Sequence, residues 1–428
     1  MNIVIVGGGA GGLELVVALG RIYKHHDDIN IILVDQSLTH VWKPLLHEVA
    51  TGRLNNVYDK MGYLALAKKN YFQFELGRLK KIDRQNKSIL IENPTEQSKP
   101  AELTITYDIL VLAIGSVTNN YHIPGTSEFC YHLDFEPQAK EIYRLFFRKL
   151  IAKHYQKSKK PIQVVIVGGG ATGIEFAAHL HTSLSALSAL MSPKNASETM
   201  DKIVAIRVIE SASRILSPLP EKLSDSVQKS MLSMGVDILT NTRVIEVMEQ
   251  GVKTHENQLI EADLVIWVAG IKGQDELKTF ADFELNAMGQ IKVKPTLQTT
   301  VDDAIFAMGD CACCMMLDGR QVPARAQAAH QQAGLLVHSI QHVLNKKPLE
   351  DYSYKDYGSL VSLSHKMTSG ALVVGQKRNV SITGFFARMV YLSLYKSHQI
   401  KIIGLWKVSI MTVANFLMRR VRSALKLH

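Results

Sequence analysis

The sequence predicts an α/β fold with two similar strand–turn–helix units, the second inserted into the first, followed by a basic C-terminal region. The glycine-rich segment VIVGGGAGG lies near the N-terminus and recurs as VVIVGGGATG about one domain length further along. Each copy follows a run of β-branched residues and opens a stretch rich in Ala and Leu. The third observation is charge, because the whole excess of +10 lies after Asp356.

The first glycine-rich copy places Gly7, Gly9 and Gly12 in the G-x-G-x-x-G frame. Glycines at these positions let the backbone approach a diphosphate at the start of a helix. Asp35 ends the next predicted strand, where a carboxylate reaches the ribose hydroxyls of an adenosine. This unit is therefore predicted to be a Rossmann-like dinucleotide-binding domain.

Two further segments are predicted to complete the first nucleotide site. Residues 104–116 form a predicted strand pair that closes on Ala113 and Gly115. The run AIFAMGDCA returns to the same unit, where Gly309 allows close backbone approach and Asp310 offers a carboxylate to a hydroxyl of the nucleotide; an N-cap role for Asp310 is compatible with that contact. With both glycine-rich copies, these segments resemble the two-dinucleotide-binding flavoprotein reductases over about residues 1–345, and this resemblance implies that the first nucleotide is FAD.

The second glycine-rich copy repeats the frame with Gly168, Gly170 and Gly173. Glu210 ends the strand IVAIRVIE, where an acid favours the free 2′-hydroxyl of NAD over the 2′-phosphate of NADP. We therefore predict NADH as the second nucleotide. Two neighbouring arginines leave NADPH as the alternative: Arg207 and Arg214.

Paired dinucleotide sites in one chain predict hydride transfer between FAD and NADH. Glu175 follows Gly173 by two positions, and we place it in the first helical turn. An acidic side chain there interacts favourably with the positive end of the helix dipole, and the same carboxylate could face the nicotinamide–flavin contact. Gly270 ends a later strand of this unit, 262–270.

These assignments predict three regions. The FAD-binding domain comprises 1–120 and 286–345, the NADH-binding domain comprises 160–285, and a C-terminal membrane-associated region comprises 346–428. Residues 181–202, rich in Ser and Ala, are interpreted as an insertion between the helix and the second strand of the NADH unit.

The cysteines argue against disulfide chemistry at the flavin. Reductases of this architecture that use a redox-active cysteine pair need it early in the first domain, but the first cysteine here is Cys130. Cys311, Cys313 and Cys314 are interpreted as small buried thiols, with a soft-metal site as the less favoured alternative, so no metal is predicted. Free thiols and the absence of an apolar leader predict a reducing compartment.

The C-terminal region is predicted to bind an anionic membrane surface. No Asp or Glu follows Asp356, whereas eleven Lys or Arg do, with aromatic residues and Met between them. No apolar run reaches the roughly 20 residues that span a bilayer, so helices lying flat on lipid are favoured. Nucleic acid and a partner helix are the alternatives. Truncation after about Gly384 is expected to release the protein from membranes and to leave FAD bound.

Three more segments carry a resemblance that runs essentially from end to end. HVWKPLLHEVATG, PARAQAAHQQAG and YGSLVSLSHK occur in this order together with both glycine-rich copies. In this the chain resembles the type II NADH:quinone oxidoreductases, single-subunit respiratory NADH dehydrogenases. The resemblance implies FAD as cofactor, NADH as substrate, a membrane quinone as electron acceptor, no proton pumping, a homodimer, and a peripheral position on the cytoplasmic face of the cell membrane.

The resemblance also implies roles for individual residues. Gln327 and Gln331, one helical turn apart, would line the quinone site, and Glu175 would be the catalytic carboxylate. Lys43 and Lys366 would lie near the isoalloxazine, where a cation stabilises reduced flavin. The expected FAD contacts further include Leu79 and Ala326. The alternatives are a soluble NADH-dependent flavoprotein reductase and a redox-sensing scaffold without turnover.

Overall fold

The computed structural model of the protein describes most of the chain. The described residues are 1–53, 61–93, 101–156, 160–191, 203–316, 318–363, 368–374 and 378–418. Helices along them are α1 Ala10–Ile22, α2 Leu46–Ala50, α3 Tyr63–Asn70, α4 Thr126–Phe129, α5 Glu136–Gln156, α6 Ala171–Met191, α7 Glu221–Ser233, α8 Leu277–Phe280, α9 Ala326–Leu344, α10 Gly384–Ile403 and α11 Leu405–Met418.

A five-stranded parallel sheet forms the centre of the first unit. In spatial order its strands are β21 Ile305–Ala307, β9 Ile109–Leu112, β1 Asn2–Val6, β2 Asn30–Asp35 and β5 Gln73–Leu76. The four strands β1, β2, β9 and β21 are almost continuously apolar because helices or loops cover both faces of a parallel sheet. The late strand β21 joins a sheet whose other strands lie within residues 2–76 and 109–112. The predicted return of the chain to the first unit is therefore confirmed.

A second five-stranded parallel sheet repeats this arrangement. Its spatial order is β11 Cys130–His132, β18 Leu264–Trp267, β12 Ile162–Val167, β13 Val204–Ile209 and β14 Asp237–Leu239. In both sheets the strand before the glycine loop is central and is followed directly by a long helix, α1 or α6. The predicted α/β fold with two Rossmann-like units is therefore confirmed, whereas the boundaries of the three regions stay predictions.

The remaining strands form small sheets around these two. They are β3 Thr39–His40 with β4 Met61–Gly62; β6 Arg78–Asp83, β7 Ser88–Glu92 and β8 Glu102–Thr106; β10 Val117–Thr118 with β19 Ile271–Lys272; β15 Val244–Met248, β16 Gly251–Thr254 and β17 Leu259–Glu261; β20 Ile291–Lys292 with β22 Ala312–Cys313; and β23 Gly358–Ser362, β24 Thr368–Val374 and β25 Arg378–Thr383. The predicted strand pair in 104–116 divides between two sheets, because β8 pairs with β7 and β9 pairs with β1.

One sequence-based expectation is wrong in detail. The interpreted insertion begins as helix, because α6 continues unbroken to Met191, and residues 192–202 are outside the described residues. The predicted C-terminal helices are present as α10 and α11, and the antiparallel sheet β23–β25 precedes them in the same region.

Helix α10 is an integral part of the first unit. Ile402 is completely buried in the hydrophobic core that contains β1 and α1. The last turn of α10 is capped by cationic side chains of the first unit: Arg21 donates to the carbonyls of Lys401 and Ile402 at 2.8 and 2.6 Å, and Lys69 donates to that of Ile403 at 3.0 Å. Removing α10 would therefore open the core.

Helix α11 differs from α10 in that one of its faces presents a continuous apolar stripe to solvent. Trp406, Ile410, Val413 and Leu417 recur at helical spacing on one face, and Trp406 is 77% exposed. In the part of the chain that the structure describes, we find no helix with the length and apolar character needed to cross a bilayer.

Candidate active site

The first glycine loop is closed toward the protein and open on its outer side. A Cβ at Gly7 would overlap the carbonyl of Ala113, and one at Gly12 would overlap the carbonyl of Gly7. At Gly9, by contrast, an added Cβ would meet no described atom within 4 Å. Gly9 is also the N-cap of α1, and no described side chain caps that end. Exposed N–H groups in an open cradle fit the pyrophosphate of FAD.

The second glycine loop has the same form. Gly168 has φ +117°, and a Cβ there would press against Ala269 at 2.9 Å. A Cβ at Gly173 would overlap the carbonyl of Gly168, whereas Gly170 faces open space among the described atoms. The loop therefore fits a second dinucleotide, as the frame predicts.

The two acids that are predicted to bind ribose also accept hydrogen bonds from the glycine loops. The sequence did not predict this second role. Asp35 Oδ2 accepts from the N–H of Gly8 at 2.7 Å, and Glu210 Oε2 accepts from that of Gly169 at the same distance. Burial raises the pKa of Asp35, and the backbone hydrogen bonds of Gly8 and Ser37 oppose that rise. Each acid therefore stabilises the turn it follows, and its ribose contact stays a prediction.

The two arginines near Glu210 are engaged elsewhere. Arg207 donates to Asp237 Oδ2 at 2.6 Å, and Arg214 donates to the carbonyl of Ser217 at 2.6 Å. An arginine that accommodates a 2′-phosphate must reach toward the ribose. Both side chains would have to leave these partners to do so, which favours NADH over NADPH.

Three segments that the sequence predicts separately for the flavin meet through hydrogen bonds. Lys43 Nζ donates to the carbonyl of Ser116 at 2.7 Å, and Ser116 Oγ donates to Asp310 Oδ2 at 3.0 Å. Gly115 and Gly309 both adopt positive φ, at +72° and +68°. The structure therefore brings Lys43, the 113–116 segment and Asp310 together at one place.

Two buried glutamines complete this region and were missed in the sequence. Gln290 Nε2 donates to the carbonyl of Asp310 at 2.8 Å, and the N–H of Gly309 donates to Gln332 Oε1 at 2.7 Å. Gln332 adjoins Gln331, which the resemblance singled out, but only the folded structure shows that Gln332 supports the Gly309 turn.

Glu175 is buried where α6 meets α2 and β23. It is the fifth residue of α6, so the expected first-turn position is wrong and the helix end is not its main partner. Oε1 accepts from the N–H of Ser362 at 2.9 Å, and Oε2 lies 3.6 Å from His47 Nδ1. Burial raises the pKa of Glu175 to about 8, with a smaller contribution from the charge of Glu48 and an opposing one from the Ser362 hydrogen bond.

Four elements meet at Glu175, and this explains why sequence spacing did not find its neighbours. His47 of α2 and His179 of α6 make an edge-to-face ring contact with centroids 4.7 Å apart. Burial lowers the pKa of His47 to about 3, so this ring is neutral at pH 7. The hydroxyl of Tyr391 of α10 is buried, and this burial together with the charges of Glu175 and Glu48 raises the pKa of Tyr391 well above the usual value.

His47, His179 and Glu48 also hold donor atoms within 4.8 Å of one another, a spacing compatible with a metal ion. The same His47 ring has its Nδ1 3.6 Å from Glu175 Oε2. The cluster is therefore interpreted as part of the site around Glu175.

The two predicted quinone-site glutamines lie one turn apart on α9, and both are engaged with the 351–357 segment. Tyr354 donates its hydroxyl to Gln327 Oε1 at 2.7 Å. Gln331 is held twice by one residue, since Nε2 donates to the carbonyl of Lys355 at 2.8 Å and Oε1 accepts from its N–H at 3.0 Å. Their roles toward quinone stay predictions.

The other predicted contacts are more dispersed. Leu79 is buried in the first hydrophobic core, Ala326 begins α9, and Gly270 adopts φ +65° where a Cβ would overlap the hydroxyl of Tyr121. Lys366 lies outside the described residues.

The cysteines are poorly suited to thiolate chemistry. Cys311 is fully buried, its thiol donates to the carbonyls of Met308 and Leu112, and burial raises its pKa to about 11. Burial likewise raises the pKa of Cys314 to about 11 and that of Cys130 to about 12. Thiols of this kind remain protonated at neutral pH and are inert.

Known proteins are similar to this chain along its whole length. Residues 1–333 match the pyridine nucleotide-disulphide oxidoreductase family. The type II NADH:quinone oxidoreductase of Haemophilus influenzae is 37% identical with full coverage of both chains, and the demethylphylloquinone reductase NdbB of Synechocystis is 28% identical over 93% of each. The structure of NDH2 from Plasmodium falciparum in complex with NADH superposes with a TM-score of 0.82 over 98% of each chain, at 18% identity, which supports the fold. The chain belongs to the type II NADH:quinone oxidoreductases within the pyridine nucleotide-disulphide oxidoreductase family.

Proposed function

We infer that the chain oxidises NADH and reduces a quinone with FAD as its cofactor. The observation that carries this function is the pair of open glycine loops, each braced by its own acid, in a chain 37% identical to a type II NADH:quinone oxidoreductase. The first glycine loop, with Gly7, Gly9 and Gly12, would hold FAD, and the bound cofactor would supply the hydride and electron transfer chemistry that links NADH to the quinone.

The function is tested on the purified yellow holoenzyme with NADH and a short-chain quinone. Bleaching of the flavin by NADH and quinone-dependent NADH loss are expected. NADH loss only with a protein acceptor would favour the soluble reductase, and bleaching without turnover would favour the redox-sensing scaffold.

We propose that Glu175 handles the proton that quinol formation requires. Oxidation of NADH by a quinone takes up one proton from solution for each quinol formed. With a pKa of about 8, the Glu175 carboxyl is protonated at pH 7 and close enough to that pH to give up its proton and regain it. The N–H of Ser362 fixes Oε1, which leaves Oε2 on the side of His47.

We propose that quinone binds on the face of α9 that carries Gln327 and Gln331. The Gln331 amide holds the Lys355 peptide in place beside this face. The Gln331→Ala change is therefore expected to lower quinone turnover about tenfold or more, while flavin bleaching by NADH stays nearly intact. Stopped-flow reduction and steady-state assays separate the two half-reactions. Gln341→Ala, further along the same helix, is the control, and equal loss of bleaching in Gln331→Ala would contradict the assignment.

We propose that Glu210 selects NADH. Glu210→Gln keeps the size of the side chain but weakens acceptance from the Gly169 N–H and from a ribose hydroxyl. We expect the ratio of kcat/KM for NADPH to that for NADH to rise about tenfold, chiefly through a higher KM for NADH. The exposed Glu256→Gln serves as control, and an unchanged ratio would refute the role of Glu210.

We propose that α11 docks the enzyme on an anionic lipid surface. Its exposed stripe is apolar along the described length of the helix, and the surrounding region carries only positive formal charge. Such a helix lies in the interface with its apolar face among the acyl chains, and a lipid-soluble quinone would approach the α9 site from there. We also propose that the enzyme is peripheral, on the cytoplasmic face of the membrane, and that it is a homodimer. Light scattering of the solubilised holoenzyme reports the dimer.

A further inference from the structure

A chain of buried hydrogen bonds links α10 to the first glycine loop. Glu14 Oε1 lies 2.7 Å from His398 Nδ1, His398 Nε2 lies 3.0 Å from His40 Nε2, and His40 Nδ1 lies 2.8 Å from the carbonyl oxygen of Gly8. Glu14, His40 and His398 are all buried. We call this series the histidine chain. It joins residues 358 positions apart in the sequence, from His40 to His398.

The positions of the hydrogens in the histidine chain follow from its contact with the Gly8 carbonyl. A carbonyl only accepts, so His40 carries a proton on Nδ1. Burial lowers the pKa of His40 to about 3, so the ring is neutral and its Nε2 is bare. His398 must then donate from Nε2. Burial lowers the pKa of His398, whereas the hydrogen bond and the charge of Glu14 oppose that shift and favour a second proton on His398 Nδ1.

The second carboxylate oxygen of Glu14, Oε2, lies near His330 and Lys401 on the side of the protein surface. Glu14 Oε2 lies 2.8 Å from His330 Nδ1 and 3.3 Å from Lys401 Nζ, and the hydrogen bonds and charges of His330 and His398 outweigh burial to lower the pKa of Glu14 to about 2. Besides these groups, Tyr63 faces the chain, with its ring 6.5 Å from that of His40.

The histidine chain ends on a peptide that is fixed on both sides. The Gly8 carbonyl accepts from His40 and from the Tyr63 hydroxyl at 2.8 Å, while the Gly8 N–H donates to Asp35 at 2.7 Å. A backbone carbonyl cannot pass a proton onward, so the chain is not a path to the flavin. What it can do is set the plane of the Gly8 peptide, next to the open cradle at Gly9.

We propose that His398 is a positioning residue for the FAD loop, so that the C-terminal helix α10 holds the cofactor through His40 and Gly8. This rests on the assignment of the first glycine loop to FAD. Movement of α10 then changes FAD retention, although α10 lies at the opposite end of the sequence from that loop.

The test measures the rate of FAD release from the full-length holoenzyme, followed as the rise in free-flavin fluorescence after dilution. We expect release to accelerate on the order of tenfold in His398→Ala, the effect of losing one hydrogen bond to a buried polar group. His398→Gln keeps an amide that can donate toward His40, so its rate is expected between those of wild type and His398→Ala.

Lys401→Gln is the matched control, because Lys401 lies on the same helix and contacts the same carboxylate but not His40. Its release rate is expected within about twofold of wild type, as for a partly exposed ion pair. Equal rates in His398→Ala and Lys401→Gln, or no rescue by glutamine, would overturn the proposal. If His398→Ala does not fold, the comparison of His398→Gln with Lys401→Gln decides.

A second measurement needs no variant. In wild-type holoenzyme labelled with nitrogen-15 histidine, a nitrogen–nitrogen NMR coupling across an imidazole–imidazole hydrogen bond is expected between His40 and His398. Absence of that coupling would contradict the proton arrangement on which the proposal depends. FAD release and NMR are independent of quinone turnover, so failure of this inference and failure of the proposed function are distinguishable.

Discussion

Glu175→Gln is expected to lower kcat for quinone reduction by about 100-fold, which is the usual contribution of a positioned acid–base group. The amide matches the protonated carboxyl in shape and still accepts from the Ser362 N–H, but it has no proton to give up. The wild-type rate is expected to fall as pH rises through about 8, where the carboxyl ionises, and this limb is expected to be absent in the variant. Steady-state rates between pH 6 and 9 provide the measurement.

The same substitution is expected to stabilise the fold. The carboxyl of Glu175 has a pKa near 4.5 when unfolded and about 8 when folded. Between these values the unfolded chain has lost the proton and the folded chain keeps it, so stability falls as pH rises from 4.5 to 8. Glutamine does not titrate, so its advantage in free energy of unfolding grows through that window at about 1.4 kcal/mol per pH unit, to a few kcal/mol.

The exposed Glu221→Gln, at the start of α7, is the control for both measurements and is expected to change neither. A Glu175→Gln enzyme that keeps the basic limb near pH 8 would show that another group titrates there. A variant less stable than wild type at pH 8 would show that the buried carboxyl is charged.

Truncation after Gly404 is expected to abolish binding to anionic vesicles while FAD stays bound. This cut removes α11 with its four exposed apolar side chains and leaves α10 in place. Burial of each such side chain in lipid is worth about 1.5–3 kcal/mol, so partial burial of the four supports an affinity loss of at least about 100-fold. Flotation with phosphatidylglycerol vesicles and the flavin absorbance of the protein report the two results.

The cut suggested by the sequence, after about Gly384, is expected to behave differently. It would also remove His398 and Ile402, leaving Glu14 without a buried partner and exposing the first hydrophobic core. Loss of one partner of a buried ion pair is strongly destabilising. We therefore expect this shorter protein to lose FAD and to misfold, which would obscure the effect on membranes.

The matched control for the Gly404 truncation is the full-length enzyme with Trp406→Gln and Ile410→Gln, which interrupts the apolar stripe and keeps the basic residues. It is expected to lose most vesicle binding. Full binding by this variant, or by the truncated enzyme, would contradict docking through α11 and would favour a docking surface elsewhere.

Local patterns were sufficient for the parts of the fold and the site that short segments encode. The strand, the three glycines and the following acid lie within residues 2–35 in the first unit and within residues 162–210 in the second, so the sequence predicted both nucleotide loops. The segment AIFAMGDCA predicted a nucleotide contact for Asp310 and the end-to-end resemblance implied a flavin contact for Lys43, and hydrogen bonds through Ser116 join the two residues.

Contacts between distant elements could not be predicted this way. The sheet β23–β25 and the packing of α10 depend on which apolar surface the rest of the chain leaves uncovered, and no single segment contains that information. The neighbours of Glu175 come from α2, α6, β23 and α10, so spacing along the chain does not relate them.

By itself the sequence determined that two dinucleotides bind one chain and that its C-terminal region is basic and apolar, because these features are written in residue type and local spacing. Only the tertiary structure decided that Glu175 is uncharged at pH 7, that Asp35 and Glu210 brace their own loops, and that α10 belongs to the core while α11 does not. The physical reason is that burial and hydrogen-bond partners, which set the charge of a carboxyl and the fate of an apolar face, arise only when distant segments pack together.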